Sequence, residues 1–160
     1  MEEIKDYALK VLKKQRNFRS KKELINKINK KFHKYSIKLE APGKIGGFIF
    51  DAIFPTKDPY ALFVVMKKGK VEGRNEVAYA ISQLENAKSK GVIKAGMVIY
   101  ITDDLDEWGT NDCLTFSNQY HYKGKDVFIE GVEYMSDWDS PLENKEPKHR
   151  YAIIFTKGYI

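Results

Sequence analysis

The sequence has little cysteine, no long apolar run and no basic-then-apolar segment at its start. Cys113 is the single cysteine among 160 residues, which excludes a disulfide framework and a cysteine-based zinc site. No apolar run approaches the ~18 residues that a membrane-spanning helix needs. The first residues, Met1 to Tyr7, lack the basic-then-apolar order of a signal peptide. These absences predict a protein of the reducing cytoplasm that has no membrane partner.

Familiar catalytic motifs are missing as well. The glycines form neither a P-loop nor a dinucleotide-binding fingerprint. The three histidines (His33, His121 and His149) share no metal-ligand spacing, and no serine stands in a nucleophile elbow. Zinc enzymes, nucleotide-binding enzymes and serine hydrolases of the usual kinds are therefore disfavoured.

The charge that is present is unevenly distributed. Residues 1–38 hold eleven Lys and two Arg against four acidic residues, a net charge of +9, whereas the remainder carries −3. A basic N-terminal third beside a mildly acidic body indicates a polyanionic partner. The alternative, weighed evenly with it, is a solvated lysine-rich helical face.

Two amphipathic helices are predicted in this basic third. The first covers residues 2–15, where apolar residues recur at helical spacing. The second begins with a capping box, because Ser20 and Glu23 stand three apart before an apolar stripe that starts at Leu24. The densest basic cluster falls between and at the start of these helices, and we expect it to contact nucleic-acid phosphates. Its members are Lys13, Lys14, Arg16, Arg19, Lys21 and Lys22.

Alternating and continuous apolar runs predict a sheet after residue 34. Ala61 to Lys67 is apolar on both faces and reads as a central strand. A helix from Asn75 to Lys90 then leads to a buried strand, which favours a parallel crossover. The other predicted segments are a strand at Tyr35 to Glu40, a turn at Ala41 to Lys44, a strand at Gly47 to Phe54, and late strands at Asp126 to Val132 and Tyr151 to Thr156.

The fold class expected from these elements is α/β or α+β, with a mixed central sheet flanked by helices. We expect one domain over residues 1–160. Its parts are a basic helical pair (1–34), a core (35–104) and C-terminal strands and loops (105–160).

One charged constellation stands out in the core. Asp51 lies within an apolar strand, Lys67 ends the next strand, and Glu76 begins the following helix. An unpaired charge in an apolar strand is costly unless it has a partner or a metal. Two carboxylates can hold a divalent cation, and a lysine can assist the attacking water in phosphodiester hydrolysis. The alternative is that Asp51 forms a buried ion pair with Lys67 or Lys44 and that Glu76 only favours the helix dipole.

The order of these elements resembles the restriction-endonuclease-like superfamily of PD-(D/E)xK nucleases, over roughly residues 35–104. In that family an acid stands two residues before the lysine, but this sequence has Val65 there, in V-M-K. The superfamily also includes members whose acid has migrated to the following helix, often within R-x-E. Arg74-Asn75-Glu76 fits that pattern.

The resemblance implies a divalent-metal-dependent DNA endonuclease. Asp51 and Glu76 would bind Mg²⁺ or Mn²⁺, and Lys67 would assist the water. A homodimer is expected if both strands of a duplex are cut. The first alternative is a catalytically inactive nuclease-fold module that binds nucleic acid or a protein partner. The second is an interaction subunit whose basic residues only confer solubility.

Overall fold

The computed structural model describes residues 6–8, 10–12, 19–32, 39–67, 74–102, 127–135 and 149–156. After a helical stretch at residues 6–8 and 10–12, these residues form two further helices and seven strands. The helices are α1 (Lys21–Phe32) and α2 (Arg74–Ser89). The strands are β1 (Gly43–Ile45), β2 (Phe48–Phe50), β3 (Ala52–Phe54), β4 (Tyr60–Lys67), β5 (Ala95–Thr102), β6 (Val127–Met135) and β7 (His149–Thr156).

A mixed five-stranded sheet organises the fold. Its strand order is β3-β4-β5-β7-β6, and β1 and β2 form a separate hairpin. β4 and β5 are parallel and are joined through α2, whereas the other neighbouring pairs are antiparallel. The predicted α+β class, the mixed sheet and the parallel strand–helix–strand connection are thereby confirmed.

Helices pack on both faces of β4. On one face, Leu24 and Ile28 of α1 belong to the same buried cluster as Leu62 and Val64. On the other face, Val77, Ile81 and Leu84 of α2 are buried with Val65 and Val98. This two-sided burial explains why the β4 sequence is continuously apolar.

Local hydrogen bonds hold α1 at both ends. Ser20 Oγ accepts the N–H of Glu23 at 3.3 Å, as the predicted capping box requires. The return bond runs from the N–H of Arg19, one residue before the cap, to Glu23 Oε2 at 2.7 Å. Near the other end, Asn29 Oδ1 accepts the N–H of Leu39 at 3.1 Å, so the helix is tied to the chain that enters the sheet.

The first hairpin differs from the prediction. Its turn is at Gly46-Gly47, with φ of 56° and 83°, a two-glycine turn of the kind that joins tightly paired strands. The predicted turn at Ala41 to Lys44 is wrong at its end, since Gly43 and Lys44 lie in β1. The predicted strand at Tyr35 to Glu40 falls mostly outside the described residues, and Glu40 makes an isolated bridge to Ile53.

The remaining elements agree with the sequence. α2 matches the predicted helix, and Gly91 follows it at a positive φ of 71°. β6 and β7 fall at the two predicted late strands and extend beyond them. Among the described helices, none has the length and apolarity that a membrane crossing requires.

Candidate functional site

Asp51 lies where the first hairpin leaves the main sheet. The strand predicted from Gly47 to Phe54 is broken at this residue into β2, which pairs with β1, and β3, which pairs with β4. Asp51 is therefore the bend between two sheets, and the prediction that it sits within one continuous strand is wrong. The sequence pattern does not reveal the break at Asp51, because the segments on both sides of it are apolar.

The carboxylate of Asp51 completes the sheet at this bend. Its Oδ2 accepts the backbone N–H of Val64 at 2.7 Å. The β3–β4 register pairs Ala52 with Leu62, so a continued ladder would place Phe50 opposite Val64. Phe50 pairs with Gly43 of β1 instead. The side chain of Asp51 thus replaces a backbone acceptor that the bend removes.

The same carboxylate oxygen lies 3.5 Å from Lys21 Nζ. The side chain of Asp51 is 24% exposed and that of Lys21 is 51% exposed, so this is a partly solvated ion pair. The structure thereby joins one residue of the predicted catalytic set to one of the predicted binding set. Sequence reasoning named Lys67 or Lys44 as the partner and missed Lys21, which lies on a different element thirty residues earlier.

Lys67 and Glu76 lie on the two elements that follow Asp51 and β3 along the chain. Lys67 is the last residue of β4, three residues beyond Val64, and is paired with Thr102. Glu76 is exposed in the first turn of α2, which begins at Arg74. α2 covers one face of the sheet, and α1 covers the other face. The ion-pair partner of Asp51, Lys21, belongs to α1.

The described residues contain no group of three His, Cys, Asp or Glu side chains that could hold a metal ion. Val65, two residues before Lys67, is 7% exposed and packs in the α2-side core. A carboxylate there would be buried among apolar groups at a cost of several kcal/mol.

The exposed side of α1 is a basic surface. We call the exposed lysines Lys22, Lys27 and Lys30 the α1 lysine face; Lys21, at the first position of the helix, is exposed as well. The helix holds five lysines against one glutamate. A shallow groove of about 350 Å³ runs along it. The described residues that line the groove are Ser20, Lys22, Glu23, Asn26, Lys27 and Lys30.

The predicted nucleic-acid-binding residues are only partly described. Arg19, Lys21 and Lys22 are exposed at the start of α1, in agreement with an accessible basic surface. Lys13, Lys14 and Arg16 lie outside the described residues. Lys27 and Lys30 were not among the predicted binding residues, although their spacing from Lys22 on the polar side of an amphipathic helix was a usable signal.

Comparisons with protein-family models, with curated proteins and with solved structures find no match to this chain.

Proposed function

We propose that this protein binds nucleic acid, most simply duplex DNA, through the α1 lysine face. The observation that carries the proposal is the exposure of Lys22, Lys27 and Lys30 on the side of α1 that faces away from the core, where they line a groove. Lysines that neutralise phosphates release condensed counterions, and this term supplies most of non-specific binding to DNA.

The helix presents these lysines on a fixed support. Leu24, Ile25 and Ile28 are buried, and Asn29 ties the helix to residue 39. From Lys22 to Lys30 the helix rises about 12 Å. This length is enough for the three lysines to reach neighbouring phosphates of one strand. A fixed row of charges loses less conformational entropy on binding than a flexible tail does.

The ion pair with Asp51 should make Lys21 contribute less to binding than the α1 lysine face does. Because Lys21 is already 3.5 Å from a carboxylate, its charge is partly compensated before any ligand binds. Lys22, Lys27 and Lys30 are therefore the residues that we expect to contribute most to binding.

The test is fluorescence anisotropy with a labelled 20-base-pair duplex, for the wild type and for the triple variant Lys22→Gln, Lys27→Gln, Lys30→Gln. We expect the triple variant to bind about tenfold more weakly or worse at moderate salt. The matched control is Lys44→Gln, Lys57→Gln, Lys94→Gln, which removes the same charge from exposed positions elsewhere. Equal loss in both variants would contradict the proposal, as would a wild type that does not bind.

A second candidate function, the metal-dependent endonuclease, is favoured by one observation. Asp51 bonds to Val64 of β4, Lys67 ends that strand, and Glu76 lies in the first turn of the helix that follows it. Mg²⁺ is often held by one or two carboxylates together with substrate phosphates, and it stabilises the charge that develops on the phosphate. In this proposal Asp51 and Glu76 hold the ion and Lys67 orients the water. This candidate ranks second because the carboxylate of Asp51 already accepts the N–H of Val64 and pairs with Lys21.

Nicking of supercoiled plasmid with Mg²⁺ or Mn²⁺ tests this candidate. Nicking by the wild type that is lost in Lys67→Gln and Glu76→Gln would support it. If the wild type binds DNA but does not nick it, the result would support a non-catalytic binding module instead. A cut through both strands would require two copies of the chain, so the nuclease proposal includes a homodimer. With a single cysteine in the sequence, we place either activity in the cytoplasm.

A further inference from the structure

α1 carries two asparagines, and the contacts within the fold explain one of them. Asn29 is half-buried, and its Oδ1 accepts the N–H of Leu39 at 3.1 Å. Asn26 is exposed, and within the described part of the chain its side-chain amide makes no hydrogen bond. Asparagine has a lower helix propensity than lysine, glutamate or alanine. Neither a contact within the described residues nor the stability of the helix therefore accounts for Asn26.

Asn26 lies at the centre of the outward side of α1. Because the helix has 3.6 residues per turn, residue 26 faces away from Leu24 and Ile28, which are buried in the core. Lys22 stands about one turn before Asn26, and the other two members of the α1 lysine face follow it along the helix. Asn26 and the three lysines line the same groove. The amide is therefore placed among the lysines that we expect to contact phosphates.

We propose that α1 enters the major groove of duplex DNA and that Asn26 reads an adenine there. This inference rests on the proposed DNA binding, and it adds a sequence-reading residue to the same helix. The major groove is about 12 Å wide and admits one α-helix, whose diameter with side chains is about 10–12 Å. α1 has 12 residues, so it presents its outward side to the groove over about three turns.

The side-chain amide of asparagine matches the major-groove edge of adenine. Adenine presents the acceptor N7 and the donor N6 there, and asparagine offers one donor and one acceptor, so the two groups form two hydrogen bonds at once. Guanine presents two acceptors at the same edge, and the carbonyl oxygen of an amide cannot bind either of them. Contacts from lysines to phosphates fix the position of the helix but carry no sequence information. The α1 lysine face therefore supplies affinity, and Asn26 supplies a preference for adenine at one position.

Asn86 of α2 provides a matched control. It is also an exposed asparagine within a helix, and α2 covers the face of the sheet opposite to α1. The backbone carbonyl of Asn86 accepts the N–H of Lys90 and the hydroxyl of Ser89, and both bonds survive a change of its side chain. Asn86→Ala therefore removes the same amide as Asn26→Ala from a surface that does not face the DNA. A further variant, Asn26→Gln, keeps the donor and the acceptor, and glutamine pairs with adenine in the same way.

The experiment selects bound molecules from a pool of duplexes with a randomised central segment and sequences them. We expect the full-length wild type, Asn86→Ala and Asn26→Gln to enrich adenine at one position, and Asn26→Ala to lose that enrichment. Fluorescence anisotropy then compares the selected duplex with a copy that carries 7-deazaadenine at that position, which lacks only the N7 acceptor. The wild type should bind the copy several-fold more weakly, whereas Asn26→Ala should bind both duplexes equally. The salt slope of Asn26→Ala should equal that of the wild type, because an amide neutralises no phosphate.

The outcomes separate this inference from the proposed function. Loss of the adenine preference in Asn26→Ala alone supports the reading of adenine by Asn26. An Asn26→Ala variant that enriches the same sequences as Asn86→Ala overturns it, and so does a wild type that binds the pool without preferring adenine at any position. Both of these results leave the proposed DNA binding intact. A wild type that binds no duplex of the pool overturns both proposals. Thermal melts of each variant establish that it is folded.

Discussion

The carboxylate of Asp51 and the backbone N–H of Val64 are joined by a 2.7 Å hydrogen bond at the point where a hairpin bends away from the sheet. The bond supplies β4 with an acceptor that its neighbouring strand no longer provides. A charged residue in an apolar segment therefore has a structural explanation that requires no ligand. Whether it also has a catalytic role is a question that variants at this position can answer.

Substitutions of Asp51 should measure how much its hydrogen bond to Val64 stabilises the fold. Asp51→Ala leaves the N–H of Val64 without its acceptor, and we expect a loss of about 1–3 kcal/mol in the free energy of unfolding. Asp51→Asn retains a carbonyl oxygen that can accept the same bond, so its loss should be smaller. Urea denaturation of the three proteins measures both values. An alanine variant as stable as the wild type would show that the hydrogen bond contributes little and that the carboxylate is kept for another reason.

The ion pair between Lys21 and Asp51 should contribute little to stability. Lys21 is half exposed, and pairs of this kind are typically worth 0.2–1 kcal/mol. A double-mutant cycle with Lys21→Ala and Asp51→Asn should give a coupling energy within that range, and the coupling should decrease at high salt. A coupling well above about 1 kcal/mol would contradict this description of a solvated pair.

Gly43 should be intolerant of a side chain. A Cβ at this position would lie 2.7 Å from the backbone nitrogen of Ile53, so β1 and β3 could not keep their spacing. We expect Gly43→Ala to cost about 1–3 kcal/mol, as overpacking does in well-packed regions. Gly47→Ala is the control, since its Cβ would meet nothing within 4 Å and only its φ of +83° is unfavourable. The result to look for in urea melts is a larger loss for Gly43→Ala; the reverse order would argue against the close contact.

The hydrogen bond that Asn29 accepts from Leu39 should stabilise the packing of α1. Asn29→Ala removes the acceptor of the part-buried N–H of Leu39, and we expect a loss of about 1–2 kcal/mol. Asn29→Asp keeps an acceptor oxygen and should lose less. Thermal melts compare the two variants. Equal losses of stability in the alanine and aspartate variants would show that the hydrogen bond to Leu39 does not account for the contribution of Asn29.

The sequence predicts the framework of this fold well because periodicity reports burial directly. β4 is apolar on both faces and lies inside the sheet between β3 and β5, and α2 carries a stripe that packs against it. The parallel β4–β5 pairing followed from the length and order of a strand–helix–strand unit. The capping box at Ser20 marked the start of α1 within one residue.

The arrangement around Asp51 could not be predicted in the same way. An alternating pattern does not show where a strand passes from one sheet to another, so the bend between Phe50 and Ala52 was not visible. Lys21 is distant in sequence, and only the packing of α1 brings it to Asp51.

The salt dependence of DNA binding tests the central claim most directly. Log K for the labelled duplex is measured against log salt for the wild type, the α1 triple variant and the control triple variant. If Lys22, Lys27 and Lys30 each neutralise one phosphate, the slope of the α1 variant is smaller in magnitude than that of the wild type by about 2.7, while the control keeps the wild-type slope. Equal slopes for all three proteins would contradict the assignment of the α1 lysine face as the nucleic-acid interface.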